Sequence, residues 1–300
     1  MTAVARKILV LVNRSSGRGP GRGEEEADEI RNAFAAAGVT ARVELLSGGE
    51  LAEQSRKAVD GGAELLVVGG GDGSISGAAG ILAGTKTRLG ILPLGTLNHF
   101  ARDLGIPPDL AEAAKLIAGG KTRSVDVAEV NGRVFVNNSA IGLYPLMVLD
   151  RDLQQKRLGR SKRLAMLVAS ARTLARFNHY RLTLTVNDDQ ARIDTPLLFV
   201  GNNDYRLDIA AAGQRESLED GRLSVFVMRK KTRRGLVAAS IRALFNRTRP
   251  DDMVRLDDVQ RLQVACRRSH LVISVDGEVE SMNAPLDYRV RRGALKVIAP

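Results

Sequence analysis

The chain has 300 residues, 44% of them hydrophobic, enough to bury one large core or two ordinary ones. A formal net charge of +11 points to an anionic partner, while 4% aromatic content and no tryptophan argue against stacking platforms for single-stranded nucleic acid. One cysteine, Cys266, and three scattered histidines, His99, His179 and His270, exclude a disulfide framework and a zinc cluster.

The opening segment "MTAVARKILVLVN" carries an apolar run that stops at Asn13, too short for a signal peptide, and no later run reaches the ~18 residues of a membrane span. A cytoplasmic protein is therefore expected. "KILVLVN" predicts a strand buried on both faces. Glu24–Gly38 predicts a helix through Ile30, Phe34 and Ala37, with Gly38 as its stop. Thr40–Leu46 is the next strand, "ELAEQSRKAVDGG" the next helix, Ala63–Gly70 a third strand and Arg88–Gly95 a fourth. This alternation predicts an open sheet flanked by helices.

Near Ser124 the pattern changes to short alternating stretches, with Asn131-Gly132 and Asn187-Asp188-Asp189 as hairpin turns. The second part therefore predicts a mostly antiparallel β-sandwich. Two basic helical inserts interrupt it, near Arg160–Phe177 and Arg234–Phe245. The first places Leu164, Leu167, Val168, Ala171 and Leu174 on one face among Lys162, Arg163, Arg172 and Arg176. The second repeats this with Leu236, Val237, Ile241, Leu244 and Phe245. Such helices either hold a protein at an anionic lipid surface, at about 1 kcal/mol per basic residue, or pack on the sandwich and wear solvated charge.

The stretch "VVGGGDGSISG" (Val67–Gly77) leads from the third strand into a small-residue helix. Glycine amides beside the positive end of a helix dipole bind phosphate, and glycine keeps a Cβ out of the way and permits φ > 0. The third glycine of the dinucleotide fingerprint is missing: Gly71-x-Gly73 is followed by Ser76. Gly120-Lys121-Thr122 imitates a Walker loop but has Lys115 where that motif needs glycine, and it lies at a helix end. Asp72 within the loop makes electrostatic sense when a divalent cation stands between it and the phosphates. Asp276-Gly277-Glu278 reads alone as a hairpin turn. Asp126 reads equally as a solvated edge residue or a residue facing a cleft.

"GGGDGS", "LGILPLGTLNHFARDLGIP", "VDVAEVNGRVFVNNSAIG", "LEDGRL" and "VDGE" come in an order that resembles the diacylglycerol kinase catalytic-domain family, over nearly the whole chain. The resemblance implies an α/β nucleotide-binding domain of phosphofructokinase/NAD-kinase type (1–124), then a β-sandwich domain (125–300) whose last residues can return to the first. It implies ATP and Mg²⁺ as cofactors and a lipid hydroxyl as acceptor. It implies nucleotide contacts from Asn13, from Gly70, Gly71, Asp72, Gly73, Ser74, Ile75, Ser76 and Gly77, and from Thr96 and Asn98. Asp276 and Glu278 match the acidic pair that supplies the base, with the choice between them open, and Asp72 joins them in catalysis. Ser217, Asp220 and Arg222 flank the turn where similar kinases hold a structural Mg²⁺ through one carboxylate and neighbouring carbonyls. The chain departs from the family at Arg14, where proline is usual, and at His99, often aspartate, which reads better as a packing residue than as a catalytic one. It also lacks a threonine near Glu44 and Leu45, and the glycine-rich loop after Asn202-Asn203. The expected enzyme is a cytoplasmic, peripherally membrane-associated lipid kinase acting on a diacylglycerol-like lipid. The alternatives are a kinase for NAD or another soluble alcohol, and a non-enzymatic nucleotide- or nucleic-acid-binding protein.

Overall fold

The apolar run at the start forms β1 (Lys7–Asn13), and its central residues Val10, Leu11 and Val12 are fully buried, as a strand covered on both faces requires. In the computed structural model the residues described are 7–15, 23–143, 145, 179–205, 215, 217–230, 232, 234, 235, 238, 242 and 252–300. They divide into two units: Met1–Val127 with Ser217–Glu219 and Arg291–Pro300, and Ala128–Glu216 with Asp220–Val290. The predicted insert at Arg160–Phe177 lies outside the described residues, as does most of Arg234–Phe245.

In the first unit β1 is followed by α1 (Gly23–Ala36), β2 (Thr40–Leu46), α2 (Gly48–Asp60), β3 (Leu65–Gly70), α3 (Asp72–Leu82) and β4 (Arg88–Pro93). Then come α4 (His99–Asp103), α5 (Leu110–Gly119) and the start of β5 (Lys121–Val130). Helix α1 buries Ala27, Ile30 and Phe34 at the predicted helical spacing, and Gly38 leaves it with φ +78°. Helix α2 opens with a capping box, in which Ser47 and Glu50 satisfy each other's backbone amides. The strands are parallel in the order β2-β1-β3-β4. Helix α1 packs against β2 and α5, whereas α2 packs against α3 and β1. Strand order therefore reverses between β1 and β3, the place where open α/β sheets bind ligands at the carboxyl ends of their strands.

The second unit contains the end of β5, then β6 (Arg133–Phe135), β7 (Asn138–Gly142), β8 (Tyr180–Val186), β9 (Asp189–Thr195) and β10 (Leu197–Asn202). It continues with β11 (Leu223–Met228), β12 (Met253–Val259), β13 (Arg261–Cys266), β14 (His270–Val275), β15 (Glu278–Asn283) and the first part of β16 (Leu286–Ala299). One antiparallel sheet runs β12-β11-β10-β7-β14-β15. Facing it, β13 pairs with β16 on one side and β8 on the other, and β8 with β9. Ile141, Val200, Val225 and Ile273 of the first sheet share a core with Leu182, Leu184, Leu262, Val264 and Tyr288 of the second, which makes the predicted sandwich. Burial pushes the Tyr288 phenol pKa up, and a hydrogen bond with the Ser139 hydroxyl at 3.1 Å opposes that rise. The last residues of β16 join the first unit, where Val297 lies beside Leu89 of β4. No helix among the described residues is long and apolar enough to cross a membrane.

Candidate active site

Gly71 is the N-cap of α3, extended at φ −87° and ψ −177°, and it offers no side chain to cap the helix. The helix begins at Asp72, so "DGS" is its first turn rather than a loop before it. The first intrahelical bond runs from Ile75 N to Gly71 O at 3.1 Å. The amides of Asp72, Gly73 and Ser74 thus have no carbonyl within the helix and stand at the positive end of its dipole. Of the residues Gly70–Gly77 expected at the nucleotide, the later ones are engaged within the helix. Ile75 commits its amide to Gly71, Ile75 and Ser76 bury their side chains, and Gly77 lies in the next turn.

The reason for the glycines also differs from expectation. None of Gly69, Gly70, Gly71, Gly73 or Gly77 has a positive φ. What demands glycine is close approach: a Cβ on Gly69 would lie 3.0 Å from Leu94 and 3.2 Å from Val12. A Cβ on Gly95 would lie 2.5 Å from Gly71 Cα and 2.7 Å from Asn98 Oδ1. The loop after β4 therefore presses its backbone against the start of α3. Asn98, at φ +49°, holds that loop: its Oδ1 accepts from Gly95 N, and its Nδ2 donates to Pro93 O and Gly95 O. Its side chain is a brace for the loop, while Thr96 stands exposed at the tip and His99 opens α4. Gly95 lies within "LPLGTLN", where the local sequence alone does not distinguish it from an ordinary turn glycine.

Asn13 ends β1 on the other side of the strand-order reversal. Its Nδ2 donates to Ser74 Oγ at 2.7 Å, and its Oδ1 accepts from Ser15 N. Asn13, Gly70, Gly71, Asp72, Gly73 and Ser74 are thus brought together at the switch point. Asp126 is 2% exposed, so the solvated-edge reading fails; its carboxylate accepts from Gly293 N at 2.7 Å and its own N–H donates to Leu218 O.

The acidic pair lies in the second unit. Asp276 and Gly277, at φ +47° and +86°, are the two-residue turn between β14 and β15, so the hairpin reading of this tripeptide is correct as local structure. The two carboxylates nevertheless have different surroundings. Asp276 accepts from the amides of Val136, Asn137 and Asn138, each at 2.9 Å. A carboxylate has about four acceptor positions, so most of its capacity is used on that turn. Glu278 has a 63% exposed side chain and pairs with Arg133 at 2.8 Å, and Arg133 also reaches Glu280 at 3.6 Å. Neither the amide clamp nor Arg133 was anticipated.

Of the residues expected around a structural metal, Ser217 belongs to the first unit and accepts from Glu219 N at 3.0 Å. Asp220 and Arg222 belong to the second unit. Asp220 accepts from Asp204 N at 3.3 Å, and Arg222 pairs with Asp204 while its carbonyl accepts from Asn203 N. No group of three or more His, Cys, Asp or Glu side chains among the described residues could hold a metal ion. The Asp220 carboxylate is a hard-oxygen donor of the kind Mg²⁺ accepts. Around the second basic insert, Arg242 and Lys230 both pair with the buried carboxylate of Asp252, so these two charges are internal ties.

An α/β unit with a glycine-capped helix at its switch point, followed by an antiparallel sandwich, is the architecture shared by lipid kinases and NAD kinases. The comparisons agree. Residues 7–130 match the diacylglycerol kinase catalytic domain, and residues 149–299 match the YegS C-terminal NAD kinase beta sandwich-like domain. The chain belongs to the diacylglycerol kinase catalytic-domain family. It is 38% identical over 145 residues to a "Probable lipid kinase YegS-like" of Klebsiella pneumoniae (strain 342), covering 47% of each chain. The match therefore spans about half the length of that relative. It is 26% identical over 222 residues to a diacylglycerol kinase of Bacillus subtilis (strain 168), covering 73% of this chain and 72% of the other. A solved structure described as a candidate diacylglycerol kinase of Bacillus anthracis str. Sterne superposes with a TM-score of 0.77 at 25% identity, over 98% of both chains. Yeast NADH kinase shares the fold alone, at 11% identity and a TM-score of 0.51 over 99% of this chain and 84% of that one.

Proposed function

We propose that this protein is an ATP-dependent lipid kinase that transfers the γ-phosphoryl group of MgATP to the hydroxyl of a diacylglycerol-like lipid. The observation that carries the reading is the uncapped first turn of α3 at the strand-order reversal, with Asp72 inside it. The amides of Asp72, Gly73 and Ser74 receive phosphate oxygens, and Ser74 Oγ, oriented by Asn13, adds a further contact. Mg²⁺, when bound with the nucleotide, supplies the charge that lets the Asp72 carboxylate stand beside phosphate. Thr96 contacts the nucleotide, and Asn98 acts one step removed, by fixing the loop that carries Thr96.

Glu278 is the base. Asp276 has its carboxylate engaged by three amides and serves to set the hairpin, whereas Glu278 projects exposed from the first position of β15. Glu278 takes the proton of the lipid hydroxyl as its oxygen bonds to the γ-phosphorus and the bond to the β-phosphate oxygen breaks. Asp220 would hold a second, structural Mg²⁺ through its carboxylate, a hard-oxygen donor. Net charge of +11 supports peripheral attachment to an anionic membrane surface. The shared fold with NADH kinase is what supports phosphorylation of NAD or another soluble alcohol as a second reading. Incubation with radiolabelled ATP and a panel of lipids, sugars and NAD decides between them. Label in a lipid, lost in Glu278→Gln, is expected; label confined to NAD or a sugar rejects the lipid reading.

A further inference from the structure

Arg215 is 8% exposed and was not marked by any motif. A buried guanidinium is tolerated only when its donors are satisfied. Two of its partners lie on the turn that also holds Asp276. Nη1 donates to Val136 O, and Nη2 donates to Asn137 Oδ1 at 3.0 Å. Its guanidinium lies over the Tyr205 ring, 5.9 Å from the centroid. Tyr205 in turn accepts from Asn138 Nδ2 at 3.3 Å and is bridged to Arg215 through an isolated antiparallel backbone pair. The Val136 carbonyl and the Asn137 N–H belong to one peptide group. Its oxygen faces Arg215, and its N–H faces Asp276 Oδ1 at 2.9 Å. A cation and an anion therefore sit at opposite ends of one peptide dipole, each strengthening the other's hydrogen bond. Asn202 adds a second donor to the Val136 oxygen at 3.2 Å.

From this geometry we infer that Arg215 is a positioning residue for the acid hairpin, acting on Glu278 through the Val136–Asn137 peptide and Asp276. The inference rests on the kinase reading above, because it gives Glu278 the role of base. Removing the guanidinium leaves the Val136–Asn138 turn with weaker amide donors and frees the Asp276-Gly277 turn to tilt. The base is then misplaced, while the nucleotide contacts of the first unit are untouched. Misplacement of a reacting group by about 1 Å costs on the order of 100-fold in rate.

The test uses the full-length protein with MgATP and diacylglycerol in mixed detergent micelles, beside amide hydrogen exchange on the same variants. Arg215→Gln is expected to lower kcat roughly 10–100-fold with the KM for ATP held within about twofold. Exchange at 136–138 and 275–278 is expected to quicken about tenfold, the loss of one charge-assisted hydrogen bond. Millimolar guanidinium is expected to restore part of the kcat of Arg215→Ala, and Asn137→Ala, which removes one of the two acceptors and keeps Arg215, to show a milder form of both effects. Unchanged exchange at 136–138 in Arg215→Gln overturns the inference whatever the activity. Wild-type kcat in Arg215→Gln while Glu278→Gln is inactive overturns it and leaves the kinase reading standing. Wild-type turnover in Glu278→Gln removes that residue as the base and the inference with it.

Discussion

Alanine at Gly95 tests whether close approach of two backbones shapes the proposed phosphate site. The new Cβ would stand 2.5 Å from Gly71 Cα and 2.7 Å from Asn98 Oδ1. Carbon atoms in contact sit about 3.5–4.0 Å apart, so Gly71 must retreat by about 1 Å or the loop after β4 must lift away. Gly95 does not have a positive φ, so the substitution brings no backbone strain of its own. Overpacking of this kind costs about 1–3 kcal/mol. Displacing Asn98 from one of its three backbone bonds adds about 0.5–1.5 kcal/mol. At about 2–4 °C per kcal/mol the melting temperature should fall by roughly 3–18 °C. Because Gly71 is the N-cap of α3, its retreat also moves the first-turn amides, and turnover should fall on the order of 100-fold. Gly77→Ala is the control: a Cβ there meets nothing within 4 Å, so helix propensity alone should raise stability by about 0.5–1 kcal/mol. Scanning calorimetry and titration with MgATP read both arms. Wild-type melting and nucleotide affinity in Gly95→Ala would refute the argument that this contact sets the cradle.

Asp72→Asn should lower turnover by about 100-fold or more with the melting curve unchanged, and full activity would take Asp72 out of the mechanism. Asp220→Ala should abolish any rise in melting temperature caused by Mg²⁺ while nucleotide affinity stays within a few-fold; a curve indifferent to both metal and mutation rejects the structural metal. Partition to anionic vesicles should fall steeply as salt passes ~0.15 M, where the Debye length is about 8 Å, and equal binding to neutral vesicles would show that charge does not drive it.

The first unit was largely legible because its signals are local. Buried parallel strands appear as unbroken apolar runs such as "LLVV", and α1 shows its buried face at Ile30 and Phe34. Turns were legible for the same reason: Asn131-Gly132 and Asn187-Asp188 both have positive φ, which few residues other than these tolerate. The start of α3 was misjudged because glycine, aspartate and serine are poor helix formers in isolation, yet suit a first turn where amides need no side-chain volume above them. The purpose of Gly95 was hidden because it depends on Gly71, which becomes its neighbour only when β3 and β4 pair in register, Gly70 beside Pro93.

The acid pair shows where local reading ends. Asp276 and Glu278 are two residues apart, both carboxylates and both compatible with a hairpin, so sequence pattern assigns them no separate roles. What separates them is the strand beside them. Pairing of β14 with β7 sets Val275 opposite Ser139, and this brings the amides of Val136, Asn137 and Asn138 to Asp276, about 140 positions away in the chain. Glu278, one step past the turn, falls outside that cluster of amides and meets Arg133 instead. One carboxylate is thereby turned into a structural anchor and the other left at the surface. The division comes from the register of two strands, and a slip of one residue in that pairing would face the hairpin the other way and dissolve it.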